Sequence, residues 1–223
     1  MIPIELISFN ARADRTHFVA RRFAKYFTEK VLDVGCYEAP LRALLPPGRY
    51  VGVDIAGSPD IVLNLDAAER LPFADNEIPT VISIETLEHL EHLHRLFGEL
   101  VRVSANYVIV SLPNCWRDAR RPIERGRGEF AHYGLPVEPP LDRHRWFFSF
   151  SQGQHFLTTM ARKHDLNIVE LFGTEPPRNF LVRLLRRLRY RPDAYANRYV
   201  QTIWIVLAKQ TVAVGKNISD AIR

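Results

Sequence analysis

The chain has almost no sulfur. Two cysteines, Cys36 and Cys115, and two methionines are spread over 223 residues. Two thiols near strand ends make no disulfide framework, so a packed core must supply the stability, and a reducing cytoplasm is the expected home. Long apolar runs are missing too: none approaches the roughly 18 residues that a membrane-crossing helix needs. Met1–Asn10 lacks a basic start with an apolar run behind it and does not read as a secretory leader. There is no internal repeat and no low-complexity tract, which excludes solenoid and fibrous architectures. Spread-out positive charge is also scarce. The formal net charge is +5, and five arginines crowd into one segment: Arg183, Arg186, Arg187, Arg189 and Arg191. A nucleic-acid binder more often lays its charge along a groove, so nucleic acid is not the expected partner.

What is present is an ordinary globular composition, 47% hydrophobic, in a chain long enough for one domain with a sizeable core. Short apolar runs near 30–34, 50–53, 60–64, 80–84 and 106–111 read as strands. Thr16–Glu29 carries Phe18, Val19, Phe23 and Phe27 at helical spacing in front of the first of them. Residues 86–103 give the clearest helix, with Leu87, Leu90, Leu93, Leu96, Phe97, Leu100 and Val101 along one stripe. Strands separated by helices imply a parallel sheet with crossover connections. Residues 113–145 break the rhythm with prolines, glycines and many arginines, as a functional loop or lid does. Ser149 and Gln152 form a capping box that opens a helix to about His164. Asn167–Phe172 is a further strand, Phe180–Tyr190 a basic amphipathic helix and Tyr199–Ala208 a final strand. The expected organisation is one domain over 1–210, with 113–145 as a substrate-facing insert, and a tail over 211–223.

The most informative pairing is Val31-Leu-Asp-Val-Gly-Cys36 followed by Tyr50-Val-Gly-Val-Asp54. An apolar strand runs into a glycine turn, and the next strand ends in a carboxylate suited to both hydroxyls of a ribose. Dehydrogenases share that plan. Three later segments separate the two. Asn64-Leu65-Asp66 is followed by Glu69-Arg-Leu-Pro-Phe-Ala-Asp75, then come Val81–Leu90 and Val108–Asn114. In this order the five segments resemble class I S-adenosylmethionine-dependent methyltransferases, over roughly residues 28–114 and more weakly to about 209. That resemblance implies an α/β fold with a Rossmann-like, doubly wound seven-stranded sheet, mostly parallel with an antiparallel last strand. Two positions depart from it: Tyr37 and Ala39 stand where glycine is common.

By the resemblance, Asp33, Gly35, Cys36 and Tyr37 hold the methionine end of the cofactor. Asp54 takes the ribose, with Ile55 beside it. Asp66 receives the adenine amino group, with Ala67 offering backbone, and Glu85 closes the site. The plainer reading of these acids is helix capping. Methyl transfer from a sulfonium is an in-line displacement, so the protein supplies alignment and, for an alcohol acceptor, a proton acceptor. Glu85, Glu88, His89 and His92 recur at spacing that places them on one helical face. Many relatives carry Glu-x-x-Glu-His and need no metal. A second, partial resemblance is to the small-RNA 2′-O-methyltransferases, in which this pattern and a later histidine bind magnesium. Asp142-Arg-His-Arg-Trp-Phe-Phe148 is similar to that later segment, which implies Glu85, Glu88, His89 and His144 as ligands of Mg²⁺ or Mn²⁺. Without a metal, His89, His144 and Glu85 are the catalytic candidates. The expected activity is O-methylation of a sugar hydroxyl on a glycan, glycolipid or related small molecule. Its rivals are a metal-dependent RNA ribose methyltransferase and a non-catalytic cofactor binder that serves a partner protein. Phe180–Arg191 either packs its leucines on the sheet or touches anionic lipid at a membrane surface.

Overall fold

The computed structural model describes residues 2–129, 132–138, 140 and 142–210. Short apolar segments rich in β-branched residues form the strands. They are β1 (Ile4–Leu6), β2 (Val31–Val34), β3 (Tyr50–Asp54), β4 (Ile61–Val62), β5 (Ile78–Ile84), β6 (Ser104–Pro113), β7 (Asn167–Glu175) and β8 (Thr202–Ala208). One sheet holds them in the order β1-β7-β8-β6-β5-β2-β3-β4. Only β8 runs against its neighbours, pairing antiparallel with β6 and with β7. The sheet therefore has eight strands, where seven were expected. The extra one is β1, a three-residue strand at the edge whose Ile4 lies opposite Gly173 of β7. Its pairing is so distant in sequence that no local pattern announces it.

Alternation along the strands splits the interior into two layers. Leu32, Val81, Val108, Val110, Ile203, Ile205 and Leu207 face one layer. That layer is covered by α2 (Leu93–Val103), α4 (Phe150–Lys163) and α6 (Pro192–Tyr199). Val31, Ile82, Ile109, Trp204 and Val206 face the other, beneath α1 (Arg12–Arg22) and the turn after it. Here Trp204 is fully buried, with Phe18 at 5.2 Å and Phe172 stacked on it at 6.2 Å. Burying each such large side chain is worth about 1.5–3 kcal/mol.

Several expected boundaries move for identifiable reasons. The helix before β2 is α1 plus a short 3-10 turn at Ala24–Tyr26, rather than one helix to Glu29. Residues 86–103 are not one helix either: a 3-10 turn at Leu87–His89 precedes α2. Tertiary partners cause that break. The Glu88 carbonyl, which a continuous helix would pair with the His92 N–H, instead accepts the N–H groups of Arg145 at 2.8 Å and Trp146 at 3.3 Å. The His92 N–H donates to Asp66 at 2.9 Å, and the Glu91 N–H to Asp66 at 3.2 Å. The stretch 113–145 is not all loop, since Cys115–Arg125 forms α3. Asn114 caps its start and Gly126, at φ 61°, ends it. Pro122 inside the helix and its run of arginines hid it from a pattern reading. Likewise Tyr199 closes α6 rather than opening the last strand. The capping box of Ser149 and Gln152 forms as expected. Phe180–Arg189 is helical, α5. The expected tail over 211–223 lies outside the described residues.

Candidate active site

A cavity of about 1120 Å³ opens at the carboxyl ends of β2, β3 and β5, where open α/β sheets bind their ligands. Its floor is the turn after β2. Gly35 sits at φ 88°, and a Cβ there would lie 2.1 Å from Thr86 Cγ2, so only glycine fits. Tyr37 and Ala39, at the two positions where glycine was expected, take the same left-handed backbone at φ 49° and 51°. The geometry of a glycine-rich loop is thus kept without its glycines, at a cost of about 1 kcal/mol for each non-glycine residue. Asp54 holds it there: its carboxylate accepts the Tyr37 N–H at 2.7 Å and the Ile55 N–H at 2.6 Å.

Asp33, Gly35, Cys36, Tyr37, Asp54, Ile55 and Glu85 all line this cavity. Asp33 is buried and accepts the Tyr50 hydroxyl at 2.9 Å. Burial raises its pKa to about 7, against the opposing hydrogen bond from Tyr50. Burial also pushes the Cys36 thiol up to about 12. Both cysteines are free. Asp66 and Ala67 are not among the lining residues; that end is lined by Asn64 and Leu65. Asp66 instead caps the approach to α2 and accepts His92 Nδ1 at 3.0 Å. These are contacts of the helix-capping kind, and they tie His92 to Asp66.

Glu85, Glu88 and His89 then diverge in their surroundings. Glu85 ends β5 at φ 49°. Its carboxylate pairs with Arg15 of α1 and accepts the Thr202 hydroxyl at 2.9 Å. Glu88 is 1% exposed, and neither carboxylate oxygen has a hydrogen-bond partner among the described residues. Burial first and the Glu85 charge second raise its pKa well above the ordinary carboxylate value. Ligand atoms of Glu88, His89 and His144 lie within 4.8 Å of one another, a metal-sized cluster without Glu85. The segment carrying His144 is pinned there by the Arg145 and Trp146 bonds to Glu88, and by Trp146 Nε1 donating to the Leu90 carbonyl at 2.7 Å.

Three residues that the sequence reading did not assign to this cluster complete it. Asp142 lies 3.0 Å from His89 Nδ1 and 3.2 Å from His132 Nδ1. His132 stacks on His144 at 4.4 Å. Tyr133 meets His144 Nδ1 at 3.0 Å. With Nδ1 of His89 and of His144 engaged, Nε2 is the free ligand atom on each ring. Burial holds both imidazoles neutral: His89 is lowered, and His144 falls to about 3 with His89 and His132 adding to the effect. The proximity of Asp142 to His144 in sequence was the one available signal for it.

Residues 32–107 match the family described as "Methyltransferase domain". Curated protein sequences give no significant match. Among solved structures, the methyltransferase domain of bacterial CtHen1-C superposes with a TM-score of 0.57 at 18% identity, over 87% of this chain and 96% of that one. A SAM-dependent methyltransferase from Archaeoglobus fulgidus gives 0.56 at 16%, over 89% and 95%. The [4+2]-cyclase SpnF gives 0.53 at 15%, over 91% and 84%. At such identities the likeness carries the fold, and a fold serves more than one reaction.

Proposed function

We propose that this chain is a class I S-adenosylmethionine-dependent methyltransferase, that it methylates a sugar hydroxyl and that Glu88, His89 and His144 hold a divalent cation beside the acceptor. The observation that carries this reading is Glu88: a buried carboxylate with two unpartnered oxygens, next to two neutral imidazoles. Burying a charge that way is costly unless a cation or proton compensates it. The donor set, one carboxylate and two imidazoles, fits Mn²⁺ and Mg²⁺ and also softer divalent ions. Such an ion supplies Lewis acidity that eases deprotonation of an acceptor hydroxyl.

The remaining chemistry belongs to the chain. Asp54 accepts the ribose hydroxyls, and the turn Gly35–Tyr37 lies against the methionine end, with Asp33 beneath it. S-adenosylmethionine, when bound, would supply an activated methyl group whose carbon–sulfur bond would break, its electron pair staying on sulfur, as the acceptor oxygen attacked in line. The acceptor proton leaves to water or to a neutral imidazole at the cluster. Glu85, tied to Arg15 and Thr202, fixes the mouth of β5 rather than taking a proton. Arg12, Arg143 and Arg145 also line the cavity. Their charge favours an acceptor that bears phosphate or carboxylate, and it is the observation that keeps RNA ribose as a second reading.

Calorimetric titration with Mn²⁺ should show binding to the native protein, and Glu88→Gln should weaken it more than the roughly 10–100-fold typical of losing an outer-shell partner. EDTA should abolish methyl transfer to a sugar acceptor while S-adenosylhomocysteine still binds. Full turnover in chelator would remove the metal and leave His89 or His144 as the base.

A further inference from the structure

We propose that α5 and a neighbouring arginine pocket form a docking surface for an anionic phospholipid membrane. The proposal does not depend on the acceptor. Helical spacing places Leu181, Leu184, Leu185 and Leu188 on one stripe and Arg183, Arg186 and Arg187 on the opposite side. In a helix that covers a core the stripe would be buried. Here the orientation is reversed. No residue of α5 is buried, and Leu181, Leu185 and Leu188 are 63, 66 and 76% exposed, with Phe180 beside them. The arginines face the protein instead: Arg186 lies 4.3 Å from the Tyr199 ring and Arg187 5.6 Å from the Tyr195 ring, both on α6.

That arrangement gathers positive charge on the face of α5 opposite the apolar stripe. A second cavity, of about 230 Å³, is lined by Arg117, Arg120 and Arg121 of α3, Arg178 before α5, Arg186 of α5 and Arg198 of α6, against Asp118 and Glu175. Glu124 bridges Arg120 and Arg198 from the side. Even so, the Nε–H groups of Arg120 and Arg198 are buried without an acceptor among the described residues. Planar guanidinium donors converging on a small concavity match the oxygens of a phosphate. A phosphate alone would leave the leucines in water, and an apolar partner alone would leave the arginines uncompensated. A phospholipid bilayer supplies both, with headgroup phosphate for the pocket and acyl boundary for the stripe. No helix among the described residues is long and apolar enough to cross a membrane, so the contact is peripheral.

The test is co-sedimentation with vesicles of phosphatidylcholine mixed with phosphatidylglycerol, beside vesicles of phosphatidylcholine alone. The protein should pellet with the mixed vesicles and remain in solution with the neutral ones. Arg178→Gln combined with Arg186→Gln should lower partitioning by at least about tenfold, given roughly 1 kcal/mol per arginine near an anionic surface. Leu181→Ser with Leu185→Ser and Leu188→Ser should lower it as much, and because these residues are exposed the variant stays folded. Unchanged S-adenosylhomocysteine affinity in both variants checks that. Tryptophan emission from Leu185→Trp should shift to the blue on adding mixed vesicles. Equal recovery with both vesicle types, or a dimer in ultracentrifugation that the serine variant abolishes without any vesicle binding, would overturn the proposal, the second result assigning the stripe to another copy of the chain.

Discussion

Asp54 has two tasks that a motif reading merges into one. Besides the ribose contact proposed for it, its carboxylate holds the Tyr37 and Ile55 N–H groups and so fixes the turn after β2. Asp54→Ala should weaken S-adenosylhomocysteine binding by about 2–4 kcal/mol, the scale of a lost charged hydrogen-bonding group. Calorimetry returning native affinity from the folded variant would remove Asp54 from the site. Asp33 makes a different prediction. Its folded pKa, about 7, lies above the ordinary value of 3.8. Between those values the folded protein keeps a proton that the unfolded chain has lost, so this residue's contribution to stability falls as pH rises, by up to about 1.4 kcal/mol per pH unit, and is level above about 7. Asp33→Asn should remove that slope. Denaturant melts at pH 5 and pH 7.5 check it, and parallel slopes for the two proteins would show that Asp33 ionises normally. At this scale the sequence marked Asp33, Asp54, Glu88, His89 and His144, because each sits in a local motif. It did not mark Asp142 and His132 as partners, because only the folded loop brings them to His89 and His144.

Elements were legible where their own side chains decide them. The buried stripe of α2 and the capping box of α4 are written in local spacing, and both form. They were hidden where another element decides them. The Leu87–His89 turn exists because the Asp142–Trp146 segment takes the Glu88 carbonyl and Asp66 takes the next N–H groups. β1 exists because β7 offers an edge. The turn after β2 is decided by both: glycine chemistry at Gly35, tertiary restraint at Tyr37 and Ala39. Gly35→Ala should therefore cost about 2–4 kcal/mol, from backbone strain together with collision against Thr86. A thermal melt within a degree of the parent would show that Thr86 can move aside.

For the whole molecule, the α/β class followed from the order of apolar runs, and the antiparallel last strand from the family resemblance. The eighth strand and the true course of residues 113–145 did not, since both rest on contacts between distant segments. The placement of β8 has a consequence in time rather than in space. Every residue of β8 is buried, and the strand lies in the interior of the sheet between β6 and β7. Among the described strands it is also the last to be synthesised. Until Thr202–Ala208 leave the ribosome, β6 and β7 each present an open apolar edge, and Trp204 is missing from the aromatic layer beneath α1. The nascent chain thus carries the open β6 edge from Pro113 onward and a second, on β7, from Glu175 until β8 is made, the state most prone to mispairing with other chains. Folding can close only after this interior strand arrives, so the sheet is completed from within by the end of its described chain.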